Sequence, residues 1–378
     1  MNKSQTQFLE LLRAGLWGVA ANPDNFKPGS VDWQAVLRIA KEQTMLVVVA
    51  DGIEMLPQAL WPPKDVMMKL VMMRVKTLQA HQLLNSTIAQ IVNVLDAAGV
   101  PSVLMKGQGI AQNYCCPESR SCGDIDIYVG QENFAKTCEV IGAMSTLEDH
   151  QGDIPSLKHF HTRIGSAFIE IHRYTDVYFQ RWRDRFYQKV SDHGMTSGLV
   201  PLDFGGVPVM SPSMDFNVFF IFNHFWHHFI ADGVGLRQLC DWVRLLHECY
   251  GKIDLEYLSD VLRGMGLMKE WKVFGYIAVN TLGLPAQEMP FYDVKYKKLA
   301  AKVLDLIMLE GNFGKENLRG HKRPKEYLAG KLYSFGKRFK RNLRVLRLFP
   351  MEGLRQLFKV FFVGIAVVLT DKFAKYED

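Results

Sequence analysis

The sequence predicts an α+β protein in which a small mixed sheet sits between two helical regions, with a basic tail after them. Three observations predict it. Apolar residues recur at helical spacing through the first hundred residues and again after Pro212. Between these regions, short runs alternate polar and apolar side chains with the period of two that marks strands. Beyond residue 310 the charge turns strongly positive. The expected organisation is an N-terminal helical region over 1–97, an α/β core over 98–210, a helical domain closing a cleft over 211–310, and a basic tail with an amphipathic helix over 311–378.

Phe8, Leu11, Leu12 and Leu16 fall at helical spacing, and residues 36–49 and 66–98 continue the pattern across a proline-marked break at 57–63. Ser102-Val103-Leu104-Met105 is a short apolar run ending in Lys106-Gly107, a buried strand feeding a turn. Asp124-Ile125-Asp126-Ile127 alternates as a strand, and residues 132–144 read as a helix. Residues 159–164 and 167–173 are two further strands, joined at Gly165-Ser166 as a hairpin. After Pro212, Ser213 or Asp215 caps a long apolar helix running through Phe219, Phe220, Phe222 and Phe225. Residues 236–250 form an amphipathic helix, and more helices fill 255–309.

At 378 residues, with 48% hydrophobic and 22% charged side chains, the chain has room for two or three ordinary globular domains. Its six cysteines form no CxxC pair, and the adjacent Cys115 and Cys116 suit neither a disulfide framework nor a zinc site. They read as reduced thiols in a cytoplasmic protein. The N-terminus has no signal-peptide apolar core, so secretion is not expected. There is no internal repeat. The net charge of +6 is uneven: residues 319–347 hold 11 Lys or Arg against Glu326 alone, or +10, leaving the remainder at −4. The basic character belongs to the tail and does not describe the rest of the surface.

Side chains at i and i+2 leave a strand on the same face, so Asp124 and Asp126 stand side by side. Paired carboxylates oppose each other's ionisation, and a divalent metal between them removes the conflict. Hard oxygen ligands on a strand suit Mg²⁺ together with substrate phosphates, which points to metal-assisted phosphoryl or nucleotidyl transfer. Phe168, Glu170 and His172 share one strand face, where Glu170 is placed to be a third ligand or a general base. Each has a plainer reading. An Asp-x-Asp pair also marks a solvated strand face, Lys106 a solvated strand end, and His172 a hydrogen-bonding structural residue.

The stretch Leu104-Met105-Lys106-Gly107-Gln108-Gly109 followed by Tyr114, Pro117 and Arg120-Ser121-Cys122-Gly123-Asp124-Ile125-Asp126 resembles the DNA polymerase β-like nucleotidyltransferase superfamily. It is most similar to the uncharacterised bacterial branch with Lys-Gly followed by Arg-x-x-Gly-Asp-x-Asp, and the resemblance covers roughly residues 98–250. It implies that Asp124, Asp126 and Glu170 are catalytic and hold two Mg²⁺ or Mn²⁺ ions. It also implies that Lys106, Gly107, Gln108, Arg120 and Gly123 meet the phosphates of an NTP, ATP first. His172, His224, His228, Arg237 and Asp241 are implied cleft residues. The chain departs from the superfamily in having Gly107-Gln108 where Gly-Ser or Gly-Gly is usual, and Glu170 where Asp is commoner. His224 and His228, four apart, share a helix face that permits metal ligation, but Phe225 between them rules out the His-Glu-x-x-His pattern. Arg237 and Asp241, also four apart, read equally as an intrahelical ion pair.

The function implied is transfer of a nucleoside monophosphate to a hydroxyl or phosphate of a small-molecule or glycan-type acceptor. The same residues would serve AMP transfer onto a protein side chain, and a non-catalytic nucleotide- or partner-binding module is the competing class. In the tail, Leu354, Leu357, Phe358, Phe361, Phe362, Ile365, Val368 and Leu369 make one apolar helical stripe behind the basic stretch. Its uninterrupted apolar run, 360–369, is too short to span a bilayer. The tail therefore fits peripheral attachment to an anionic membrane face or packing on the protein's own helices, with nucleic acid a third partner.

Overall fold

The structure, a computed structural model, describes residues 1–146, 158–312 and 327–370. It is an α+β fold. Four helices lead: α1 (Lys3–Trp17), α2 (Trp33–Glu42), α3 (Leu46–Glu54) and the 34-residue α4 (Lys64–Ala97). The core then runs β1 (Val103–Met105), the short α5 (Gly107–Ala111), β2 (Ile125–Tyr128), α6 (Gly130–Gly142), β3 (His159–Ile164) and β4 (Ala167–His172). Next come α7 (Arg181–Thr196) and a two-stranded hairpin of β5 (Val200–Phe204) and β6 (Val207–Ser211). The remaining helices are α8 (Met214–Ala231), α9 (Leu236–Glu248), α10 (Leu255–Gly264), α11 (Met268–Asn280), α12 (Lys297–Glu310), α13 (Tyr327–Leu348) and α14 (Pro350–Thr370).

The main sheet has the order β1-β2-β4-β3, with β2 and β4 parallel and both outer pairs antiparallel. Alternation decides which way it faces. Ile125, Ile127, Ile169 and Ile171 pack with Ile88, Ile91 and Leu95 of α4 and with Phe134 and Ile141 of α6. The intervening polar residues are thereby turned to the opposite face. A slip of one residue would bury the carboxylates and expose the isoleucines, so the register is strongly held. The β3–β4 hairpin turns at Gly165, whose φ of 59° is the left-handed value a tight two-residue turn requires.

The other wall of the protein is α8, apolar on nearly every side and therefore buried. Phe222, Phe225, Trp226 and Phe229 pack edge-to-face against α9 and α11, with Trp242 and Trp271 at 4.8 Å between centroids. The α13–α14 hairpin docks on the same helix. Val345 and Phe349 are buried, Trp226 meets Phe349 edge-on, and Arg341 donates to Glu310 and to the carbonyls of Phe229 and Ile230 at the end of α8. Arg183 of α7 holds Glu352 of α14 at 3.1 Å. The base of the tail thus packs on the protein's own helices. Residues 319–326 of the basic segment, and the side chains of Phe362, Ile365, Val368 and Leu369, lie outside the described residues. No helix among the described residues is long and apolar enough to cross a membrane.

Beside the Arg183–Glu352 pair, Glu270 of α11 is 6% exposed, and among the described residues its Oε2 has no hydrogen-bond partner. Burial, with the nearby charge of Glu352 adding to it, pushes its carboxyl from 4.5 up to about 7. Between those values the folded chain keeps a proton that the unfolded chain has lost. Stability therefore falls as pH rises through this window, by up to about 3 kcal/mol. Glu270→Gln, neutral throughout, is expected to leave thermal unfolding near pH 4.5 little changed and to raise the melting temperature at pH 8. A difference independent of pH would show that Glu270 is charged in the fold.

Candidate active site

Parallel pairing of β2 with β4 sets Asp126 opposite Glu170, both on the face turned from the isoleucines. Asp124 stands one residue before β2. Carboxylate oxygens of Asp124, Asp126 and Glu170 all lie within 4.8 Å of one another. They form the floor of a cleft of about 700 Å³ that is walled by α8 and α9, with Lys106, Gly123, His224 and Arg237 among its lining residues. All three sequence-predicted acids are therefore brought together.

Lys106 reaches this floor from the end of β1, its Nζ 2.9 Å from Asp126 Oδ1. To do so its backbone adopts φ 51° and ψ −144°, a conformation nearly reserved for glycine, and Gly107 follows at φ 39°. Such strain costs on the order of 1–3 kcal/mol and persists where the surroundings enforce it. A Cβ on Gly107 would come within 3.3 Å of the Asp124 carbonyl, so the close approach needs glycine. His172 Nε2 adds a second contact to Asp126 Oδ1 at 2.8 Å and lies 3.2 Å from Glu170 Oε2.

These contacts divide the carboxylates. Burial alone would raise Asp126, but the Lys106 charge and the His172 hydrogen bond outweigh it and hold the group below its usual value. Burial would raise Glu170 too, yet hydrogen bonds from His161 and His172 hold it well below the carboxylate range. Asp124 is raised, first by burial and then by the charges of Asp126 and Glu170. The three acids have Lys106 as their nearest cation, and a divalent ion would balance the negative charge they concentrate there. The oxygen set fits Mg²⁺ or Mn²⁺.

Arg120 borders the cleft with its guanidinium engaged by a carboxylate. It is 4% exposed and grips Asp241 of α9 with two parallel bonds, Nε to Oδ1 at 2.8 Å and Nη2 to Oδ2 at 2.9 Å. Tyr114 donates its hydroxyl to the same Asp241 at 2.8 Å. Asp241 therefore answers Arg120 across the cleft wall, in place of the intrahelical partner that its i,i+4 spacing from Arg237 suggested. Gln108 is likewise turned from the cleft, its amide bonded to Asn85 and His81 of α4. Arg237 is the guanidinium that the cleft receives. It lines the cavity and, among the described residues, donates a long 3.4 Å bond from Nη1 to the Ser121 carbonyl while its buried Nε has no partner. Burial and the neighbouring Arg120 charge press its pKa down, so an anion at this point would relieve it. Gly123 borders it: a Cβ there would stand 3.9 Å from Arg237 Nη1.

His224 and His228 both line the cleft, their rings edge-on at 4.6 Å, and burial keeps both uncharged at neutral pH, His228 down at about 4. Among the described residues, neither belongs to a group of three side chains close enough to hold an ion. Phe168 lines the cavity on the strand face it shares with Glu170, and His159 and His161 line it without having been singled out from the sequence. A signal for the two histidines was present: a two-residue turn at Gly165-Ser166 pairs 161 with 170 and 159 with 172.

A family model described as an uncharacterised nucleotidyltransferase matches residues 29–283. The chain belongs to this family. The match takes in the whole floor of the cleft together with α8 and α9. A solved nucleotidyltransferase-like antigenic protein from Paracoccidioides brasiliensis is 11% identical, over 56% of this chain and 95% of that one, at a TM-score of 0.33. A likeness that faint bears on nothing below. No curated protein matches the chain.

For this nucleotidyltransferase family member, Arg120 is expected to be a residue of stability. Arg120→Met leaves Asp241 charged and buried, and should destabilise the fold by roughly 3–5 kcal/mol. Arg237→Met removes a guanidinium already short of partners and should cost less than about 1 kcal/mol. Thermal or denaturant unfolding of the two variants checks the contrast; equal losses would contradict it.

Proposed function

We propose that the protein transfers a nucleoside monophosphate from an NTP, ATP first, to a hydroxyl or phosphate of a small-molecule or glycan-type acceptor at a polymerase β-like site. The observation that carries this reading is the β2–β4 register, which sets Asp126 beside Glu170 with Asp124 at the strand mouth. Asp124, Asp126 and Glu170 would hold the metal, which when bound supplies charge neutralisation at the transferred phosphorus. Arg237 takes the phosphate oxygens, for which its open Nε and planar fork are suited. Lys106 keeps Asp126 ionised and adds positive charge to the same corner. Glu170, held as a carboxylate, would orient the attacking hydroxyl by accepting a hydrogen bond from it, its depressed pKa making it a weak base. Neutral His224 and His228 form a wall that bonds to the bound molecules without adding charge.

Purified protein with α-labelled ATP, Mg²⁺ and a fractionated small-molecule extract tests this. Label is expected in a small-molecule product, and Asp124→Asn or Asp126→Asn should lower it at least 10³-fold, the scale on which charge-stabilising groups act. Arg237→Met should weaken ATP binding at least tenfold, the worth of one charge-assisted hydrogen bond. Label on the protein itself would indicate AMP transfer to a side chain. Absence of both label and Mg²⁺-dependent NTP binding would sink the enzyme reading.

A second part of the proposal is that the tail hairpin rests on the anionic cytoplasmic face of a membrane. Phe358 and Phe361 are 53% and 56% exposed, beside exposed Leu354 and Met351, and Arg344, Arg347 and Lys359 are exposed on the same hairpin. Phe358→Asp combined with Phe361→Asp should reduce co-sedimentation with phosphatidylserine-containing vesicles at least tenfold, and 0.5 M salt should weaken what remains. Unchanged binding by the double variant would refute it.

A further inference from the structure

We infer that His159, Glu170 and His172 form a second metal site, of mixed nitrogen and oxygen ligands, that takes a transition ion such as Mn²⁺, Co²⁺ or Zn²⁺, with Glu170 bridging it to the all-carboxylate set. The antiparallel register pairs His159 directly with His172, so both leave the hairpin on one face, and Glu170 lies two residues along that face. One ligand atom from each of the three comes within 4.8 Å of the others. The His159 and His172 ring centroids are 5.5 Å apart.

His172 has the bonding of a metal-ligating imidazole. Nε2 is held by Asp126 Oδ1 at 2.8 Å, while Nδ1 is buried without a hydrogen-bond partner. A ligating histidine typically has one nitrogen on a carboxylate, which fixes its ring, and the other on the ion. Glu170 is equally prepared: Oε1 lies 3.3 Å from His161 Nδ1 and Oε2 3.2 Å from His172 Nε2, so the carboxylate is aimed from both sides. A half-buried corner with two nitrogen ligands is a poor host for Mg²⁺, which prefers oxygen ligands and several waters, whereas imidazole suits borderline ions. The two groups of ligands would therefore differ in the ion they prefer while sharing one carboxylate.

This deepens the reading of the cleft as a metal site and rests on it only through Glu170; its test needs no turnover. The full-length protein is loaded with Mn²⁺, counted by equilibrium dialysis and examined by pulsed EPR for coupling to imidazole nitrogen. Two ions per chain with nitrogen coupling are expected. His159→Gln should lose one ion, or weaken the second binding step at least tenfold, and should reduce the nitrogen signal. Asp124→Asn should weaken the other ion and keep the nitrogen signal. Circular dichroism confirms that both variants fold, and His159→Asn repeats the first should glutamine fail. Absence of nitrogen coupling in the wild type, or Mn²⁺ binding by His159→Gln equal to wild type, overturns the inference. Nitrogen coupling in a protein that transfers no nucleotide would leave this site standing while the proposed function falls; Mg²⁺-supported transfer without coupling would do the reverse.

Discussion

The buried ion pair between Arg120 and Asp241 is the tie on which the cleft depends. It joins the segment leading into β2 to a helix 121 residues further along the chain. Tyr114 bonds to the same aspartate, and His81 of α4 holds the backbone carbonyl of Arg120 at 2.8 Å. Three segments, α4, the 114–120 connection and α9, are thus fixed to one another beside the cleft's acids. Neither charge is tolerable alone in the interior, so the two are kept or lost together. With α9 held at that distance, its preceding turn brings Arg237 into the cleft that holds the carboxylates.

The same pair explains why Arg237 is available. Two guanidiniums approach Asp241, and Arg120 takes both oxygens. What remains for Arg237 is a repulsive neighbour and the charges of Asp241 and Asp124. A cation in that position favours an arriving anion without having to break an existing bidentate pair. Across the cleft the imbalance has the opposite sign, because three acids share Lys106. The cleft therefore sets the acids of the β2 and β4 segments opposite Arg237 of α9. A metal–triphosphate presents the complementary arrangement.

Much of this was legible in the sequence. Period-two alternation announced β2, β3 and β4, and the i,i+2 rule put Asp124 with Asp126 and Glu170 with His172. The roles of the arginines were not legible. Local spacing joined Arg237 to Asp241, and only tertiary contact could show Arg120 arriving from elsewhere to displace it. The side-chain partners of Gln108 were not legible for a similar reason. It follows the Lys-Gly turn, yet Asn85 and His81 of a preceding helix claim its amide. His159 and His161 could have been read from the hairpin turn, since a two-residue connection fixes every partner along it. In the tail, charge and amphipathicity were plain, but nothing local distinguishes Arg341, which is buried, from Arg338 and Arg344, which are exposed.

Arg341 gives the tail a second significance. Its guanidinium closes the end of α8 by holding the carbonyls of Phe229 and Ile230, immediately after His228, and Phe349 completes the aromatic layer behind the same turn. The helix that lines the cleft is thus finished by residues from the far end of the chain. A tail-less protein would lose this closure along with its basic surface. Loss of activity on truncation would consequently report an unravelled cleft wall, and only substitutions on the outer face of the hairpin separate what the tail touches from what it holds up.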